Sequence, residues 1–209
     1  PRIALVTGAT RGIGLETVRQ LAKAGVHTLL DGRDRERATV AARELQAQGL
    51  PVEAVVLDVT DEASIAAAAA EVEARHGRLD ILVNNAGVVL DDVARGVSGQ
   101  PQSTWRDTFD TNVFGLVAVT QAFLPLLHRS RAGRIVNVSS ALGSLTLHSD
   151  PASFIYDYKV PAYNVSKSAV NAWTVHLAHV LADSAIKVNT IHPGYVRTDM
   201  NKAGDEQNG

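Results

Sequence analysis

The chain has 209 residues, a formal net charge of −2, 45% hydrophobic and 20% charged residues, and no cysteine. This composition describes a soluble globular domain long enough to bury a real core, with no electrostatic reason to bind nucleic acid or an anionic membrane. The lack of cysteine excludes disulfides, thiolate metal sites and cysteine nucleophiles.

Taken in chain order, the sequence begins with Pro1-Arg2-Ile3-Ala4-Leu5-Val6, which has no signal-peptide core and reads at once as a strand. A cytoplasmic location is therefore expected, and no apolar run approaches the roughly 20 residues of a membrane span. Short aliphatic and β-branched runs predict strands at 2–6, 26–30, 52–57, 79–83, 133–138 and 186–191. Amphipathic stretches predict helices at 12–24, 34–48, 61–75, 104–128 and 161–182. Asp34 and Asp61 stand where N-caps belong, and Gly25, Gly49 and Gly77 stand just past helical stretches. Nearly continuous apolar strands alternating with helices predict an α/β fold: one domain with a doubly wound, mostly parallel, Rossmann-type sheet.

In such sheets ligands bind beyond the carboxyl ends of the strands, so the turn after the first strand carries the first functional expectation. It reads Thr7-Gly8-Ala9-Thr10-Arg11-Gly12-Ile13-Gly14. Its glycines allow a tight bend and let a pyrophosphate approach the amides of a helix N-terminus. The spacing differs from the commoner Gly-x-Gly-x-x-Gly fingerprint, and a merely structural turn is the competing reading. Further along, Tyr163 and Lys167 share one helix face at i and i+4. An ammonium beside a phenol favours the phenolate, which predicts a lowered tyrosine pKa and a proton donor and acceptor near neutral pH. His176 and His179 have a spacing that can bind metal, but no third ligand accompanies them, and His148 and His192 add none, so no metal site is expected.

Several pieces occur in one order: the Thr7 to Gly14 turn, Asp58-Val59, Asn84-Asn85-Ala86-Gly87, Asn112, Ser140, Tyr163-x-x-x-Lys167, and Pro193-Gly194 with Thr198. In this the chain resembles the classical short-chain dehydrogenase/reductase family from Arg2 to about Met200. The long spacer between Ser140 and Tyr163, roughly Ala141 to Ala162, is most similar to the carbonyl-reductase-like branch. The resemblance implies an oxidoreductase that moves a hydride between a nicotinamide cofactor and a small aldehyde, ketone or alcohol. It gives Tyr163 the acid/base role and makes Lys167 its activator and a holder of the nicotinamide ribose. Ser140 becomes the stabiliser of the substrate oxygen, and Asn112 the anchor of a water relay. Ser139, Tyr156 and Tyr158 are the neighbouring alternatives, and Asn112 could instead bridge a helix distortion.

The cofactor contacts implied are Gly8, Thr10, Arg11, Gly12, Ile13, Gly14, Arg33, Asp58, Val59, Asn85, Ala86, Gly87, Tyr163, Lys167, Pro193, Gly194, Val196 and Thr198. Gly32 stands where NAD-preferring relatives carry aspartate, and Arg33 and Arg11 match basic positions of NADP-preferring ones, so NADPH is favoured over NADH. Asp31 opposes this, either as a carboxylate able to reach a ribose hydroxyl or as a turn-capping or solvent-facing residue.

An NAD(H)-preferring dehydrogenase and a non-catalytic dinucleotide-binding regulator remain alternatives. A lyase, epimerase or dehydratase on the same scaffold would need a larger substrate domain. The expected substrate walls are Leu142, Leu145, Phe154, Ile155 and Tyr195. Residues 1–200 are read as the reductase domain and 201–209 as a polar tail or partial substrate lid. A seventh strand found in relatives has no counterpart after Met200, which would leave the sixth strand as an edge. The spacer favours a monomer over a homo-oligomer by a small margin.

Overall fold

The structure, a computed structural model, describes residues 1–196. Thr198 and the 201–209 segment lie outside the described residues. In chain order the elements are β1 (Ile3–Val6), α1 (Gly12–Lys23), β2 (His27–Asp31), α2 (Arg35–Gln46), β3 (Val52–Val55), α3 (Glu62–His76) and β4 (Ile81–Asn84). They continue with α4 (Gln102–Phe109), α5 (Leu116–His128), β5 (Arg134–Val138), α6 (Leu145–Ser149), α7 (Pro161–Val180) and β6 (Lys187–Ile191).

The strands form one sheet in the order β3-β2-β1-β4-β5-β6, and all five pairings are parallel. The chain runs outward from β1 through β2 to β3, then returns to place β4 on the other flank of β1. That reversal makes the carboxyl ends of β1 and β4 the crevice of the fold. Among the described residues, β6 has no neighbour beyond β5.

The period-2 alternation along β1 builds both layers of the core. Ile3 and Leu5 join Val72, Phe123, Leu127 and Ile186 on the side covered by α3 and α5, whereas Ala4 and Val6 join Val18, Ala38 and Leu45 under α1 and α2. The helix ends follow local chemistry. Asp34 Oδ1 accepts the Arg37 amide at 3.0 Å, Asp61 Oδ1 accepts the Ala63 amide at 2.9 Å, and Gly25, Gly49 and Gly77 take left-handed φ values of 77°, 77° and 71°.

Most element boundaries differ from the expected ones by one or two residues, α6 was not expected, and three boundaries have a physical reason. β3 stops at Val55 and β4 begins at Ile81, although Leu57 and Leu79 are both buried. These leucines are apolar because they pack, not because they are extended. The stretch expected as one helix over 104–128 begins at Gln102 and carries a π-helical turn at Asp110–Gly115. The whole run Gln102–His128 is long and apolar enough for a membrane span, which amends the expectation that no such run exists. Half of its most apolar window is buried inside the protein, with Val119, Phe123 and Leu127 in the core, as suits a core helix of an α/β domain.

Candidate active site

The end of β1 is tied to the end of β4 through Thr7. Its Oγ1 accepts the amides of Asn85 and Ala86 at 3.0 Å each, and Asn85 Nδ2 donates to the carbonyls of Thr7 and Gly8 at 2.9 and 3.1 Å. Beneath the glycine turn, the buried Asp31 accepts the Gly8 amide on Oδ2 at 3.0 Å, and the Asp31 carbonyl accepts the Ala9 amide at 2.7 Å. Asp31 is therefore the turn-capping residue of the two readings, and not a solvent-facing one. Burial pushes its carboxyl up to about 7, against the pull of the Gly8 amide. Its Oδ1 has no hydrogen-bond partner.

Around this turn opens a cleft of about 510 Å³. Gly8, Thr10, Arg11, Gly12, Ile13, Gly14, Arg33, Asp58, Val59, Asn85, Ala86 and Gly87, all expected from the sequence, line it. Asp31, Gly32, Leu57, Thr60, Val88 and Thr111 line it as well. Of these, Leu57, Thr60, Val88 and Thr111 carried no sequence motif; their signal is position just past a strand or on the π-helical turn. Asp58 Oδ1 accepts the Thr60 amide and hydroxyl at 2.9 and 2.7 Å, and these bonds hold its carboxyl below the usual range. Pro193, Gly194 and Val196 follow β6 at the same end of the sheet but do not line the cleft.

The cleft fits a dinucleotide. α1 opens onto it with neither a side-chain cap nor an acidic residue in its first turn, whereas α2 and α3 are capped by aspartates. Uncapped amides at a helix N-terminus suit a pyrophosphate. Gly32 is held bare: a Cβ there would stand 2.4 Å from Thr10 Cγ2, so no carboxylate can occupy that position without displacing Thr10.

Asn112 and Lys167 stand behind Gly87, but Tyr163 and Lys167, expected as cofactor contacts, do not line the cleft, and neither do Asn112 and Ser140. A Cβ on Gly87 would lie 3.3 Å from Asn112 Oδ1 and 3.7 Å from Lys167 Nζ. Lys167 is buried, donates to the Val138 carbonyl at 2.8 Å, and lies 5.5 Å from the centroid of the Tyr163 ring. Desolvation lowers its pKa to about 8. The Tyr163 phenol is raised, first by burial and in smaller part by Tyr158, while the Ser140 hydroxyl beside it pulls the other way. This corrects the expectation of a phenol lowered by its lysine. Burial dominates the shift and Lys167 is not among the groups that move it, so near neutral pH Tyr163 is a phenol that holds its proton.

The two serines divide their work. Ser139 is buried and its hydroxyl donates to the Lys167 carbonyl at 3.4 Å, whereas Ser140 is the one beside the phenol. Asn112, buried in the π-helical turn, accepts the Val88 amide at 2.8 Å and donates to the Val88 carbonyl at 2.9 Å and to Ser166 Oγ at 3.0 Å. It fastens the segment after β4 to α7.

One positioning residue was missed. α7 has no side-chain cap of its own, yet Asp91 Oδ1 and Oδ2 accept the amides of Ala162 and Tyr163 at 2.8 and 3.0 Å. A carboxylate is favourable against the positive end of a helix dipole, and here it clamps the turn that carries the tyrosine. Asp91→Ala is expected to cost about 0.5–2 kcal/mol of stability. It should lower kcat roughly tenfold while leaving cofactor affinity unchanged, because a displacement of the phenol by about 1 Å is felt in the chemical step. Steady-state kinetics beside a cofactor titration check this.

The expected substrate walls divide. Leu145, Phe154 and Tyr195 are strongly exposed and Leu142 is half-buried, but Ile155 is buried inside the 141–162 segment and forms no open wall.

A parallel six-stranded sheet with a glycine turn at its switch point, and a tyrosine, lysine and serine at the end of the resulting cleft, define a dinucleotide-binding α/β oxidoreductase. The model of the short chain dehydrogenase family matches residues 2–209, and the chain belongs to that family. It is 39% identical to the short-chain dehydrogenase anuI of Penicillium roqueforti, over 95% of this chain and 80% of that protein. It is 34% identical to the 3-oxoacyl-acyl-carrier-protein reductase FabG of Staphylococcus aureus, over 96% of this chain and 76% of that one. Among solved structures it matches a gluconate 5-dehydrogenase of Burkholderia cenocepacia in complex with NADP and tartrate. That match has a TM-score of 0.83 and 33% identity, covering 99% of this chain and 76% of the other. The family uses nicotinamide cofactors on small carbonyl or alcohol substrates.

Proposed function

We propose that this chain is an NADP(H)-dependent carbonyl reductase in which Tyr163 is the acid that protonates the substrate oxygen. The observation that carries this reading is the grouping of Tyr163 with Ser140 and Lys167, with the lysine next to Gly87 of the cleft wall. A nicotinamide held by the cleft residues would supply the hydride for the carbonyl carbon. The Ser140 hydroxyl donates to the carbonyl oxygen and steadies the negative charge that grows there. Tyr163 gives its phenolic proton to that oxygen, so the C=O π bond becomes an alcohol C–H and O–H. The tyrosinate left behind is stabilised by the Lys167 ammonium, whose pKa of about 8 leaves it mostly charged near neutral pH, and a proton from solvent restores the phenol. In the reverse direction the same phenolate removes the alcohol proton.

The NADP preference is supported by Arg33 and Arg11 lining the cleft beside Gly32, a position that carries no carboxylate for a ribose hydroxyl. The relative of known structure bound to NADP agrees with it. A guanidinium bonded to a 2′-phosphate contributes about 1.5–3 kcal/mol. Arg33→Ala is therefore expected to weaken NADPH binding by roughly 10- to 100-fold and NADH binding by less than about threefold. Fluorescence titration with both reduced cofactors checks this, and equal losses would remove the phosphate contact. An NADH-preferring enzyme is the second reading, favoured by one observation: the unpartnered Asp31 Oδ1 at the cleft, which could accept from a ribose hydroxyl.

A further inference from the structure

A second cluster of polar groups lies at the opposite end of the sheet from the cleft, and no part of the proposed chemistry uses it. His27 opens β2, Glu53 lies in β3, and His76 is the last residue of α3. The pairing Leu29↔Glu53 and the period of two put His27 and Glu53 on the sheet face that α3 covers. The end of α3 then brings His76 over both. His27 Nε2 lies 3.0 Å from Glu53 Oε1, and His76 Nε2 lies 3.4 Å from Glu53 Oε2. The two imidazole rings are 5.3 Å apart at 47°.

Three features distinguish this cluster from an ordinary surface ion pair. One ligand atom from each residue falls within 4.8 Å of the others. His27 Nε2 and His76 Nε2 are shielded from solvent and neither has a hydrogen bond, despite their short separations from Glu53. Atoms at hydrogen-bonding distance that fail to align with one another are arranged as groups that face a shared centre. Two imidazole nitrogens and one carboxylate oxygen also form a recognised donor set for a divalent transition ion, with zinc commonly taking a water in the fourth position.

We propose that His27, Glu53 and His76 bind a divalent transition-metal ion, zinc in the first instance, which pins β2, β3 and α3 together. Tetrahedral zinc with ligand bonds near 2.0–2.1 Å needs its ligand atoms about 3.3 Å apart. Glu53 Oε1 already stands 3.0 Å from His27 Nε2, whereas His76 Nε2, 3.4 Å from the other carboxylate oxygen, must turn toward Oε1 and toward His27. The surrounding charges set the balance. Arg75 is ion-paired with Glu53 Oε2 and also bonds Glu71 at 2.9 Å. Glu53 can thus present Oε1 to the ion while Arg75 keeps hold of the outer oxygen, the kind of secondary contact that orients metal ligands. The guanidinium also repels a cation, which places the expected affinity in the micromolar range and not below it. The cluster is remote from the crevice, so the metal acts on stability and not on hydride transfer.

The test is to strip the full chain with a chelator, remove the chelator, and titrate zinc against a chromophoric competitor. One equivalent should bind with a micromolar dissociation constant and raise the melting temperature by several degrees. His27→Gln and His76→Gln should each weaken binding at least tenfold and abolish the thermal shift, with turnover unaltered. Cobalt should give the visible absorption of a tetrahedral site in the unaltered protein. That spectrum is informative even if a variant fails to fold, and Glu53→Gln offers a milder probe of the third ligand. No stoichiometric zinc uptake and no cobalt spectrum, or uptake undiminished in the doubly substituted His27→Gln, His76→Gln protein, would overturn the site and leave a carboxylate shared by two imidazoles and an arginine.

Discussion

Tyr163→Phe is expected to lower turnover by roughly 100- to 10,000-fold, the range that a positioned general acid contributes, while NADPH affinity changes by no more than a few-fold. The asymmetry follows from the geometry. The phenol is largely buried beside Ser140, so removing its oxygen deletes the proton source without emptying much space. The groups that line the dinucleotide cleft belong to the ends of β1 to β4 and remain in place. Lys167 loses the group it stabilises yet keeps its bond to the Val138 carbonyl. Parallel measurement of kcat and of the cofactor dissociation constant separates the two effects. A variant that turned over within tenfold of the unaltered enzyme would remove Tyr163 from the acid role.

The second large effect is expected at the turn. A Cβ on residue 14 would lie 2.5 Å from Asn85 Nδ2, 2.7 Å from the Gly8 carbonyl oxygen and 2.9 Å from Ala9 Cα. Two of those three neighbours are backbone and the third is the amide that fastens Asn85 to Thr7 and Gly8, so none can yield cheaply. Gly14→Ala must therefore push the turn away from the end of β4 and distort the amides meant for the pyrophosphate. An overpacked site of this kind costs about 1–3 kcal/mol, and cofactor affinity should fall by roughly 100-fold or more. A folded Gly14→Ala protein, checked by circular dichroism, that bound NADPH as tightly as the parent would show that the turn does not carry the phosphates.

Much of this architecture is legible in the sequence because its signals are local. The β1 run, the aspartate caps of α2 and α3 and the glycine turn each depend on residues a few positions apart. The cleft-lining set from Gly8 to Gly87 is what the resemblance to the short-chain dehydrogenase/reductase family implies, carried by motifs that each span a few residues. What was not legible depends on distant pairing. Asp91 clamps the amide of Tyr163 from 72 residues away, and no periodicity announces it. The burial of Asp31 beneath the turn, and with it a carboxyl raised to about 7, follows from how β2 packs under Gly8 and not from its neighbours in the chain. The direction of the Tyr163 shift is hidden for a related reason: i,i+4 spacing reports the nearby lysine but not the burial that raises the phenol. The cluster of His27, Glu53 and His76 comes from three separate elements and has no spacing signature at all.

The central claim is that hydride and proton reach a carbonyl together at the end of the cleft. It is tested most directly by supplying NADPH deuterated at the transferable position to the purified chain with a panel of hydrophobic ketones and aldehydes, and locating the label. Deuterium is expected on the carbinol carbon of an alcohol product, formed by the unaltered protein and lost with Tyr163→Phe. Alcohol that carries no label, or labelled alcohol formed equally fast without the phenol, would contradict it.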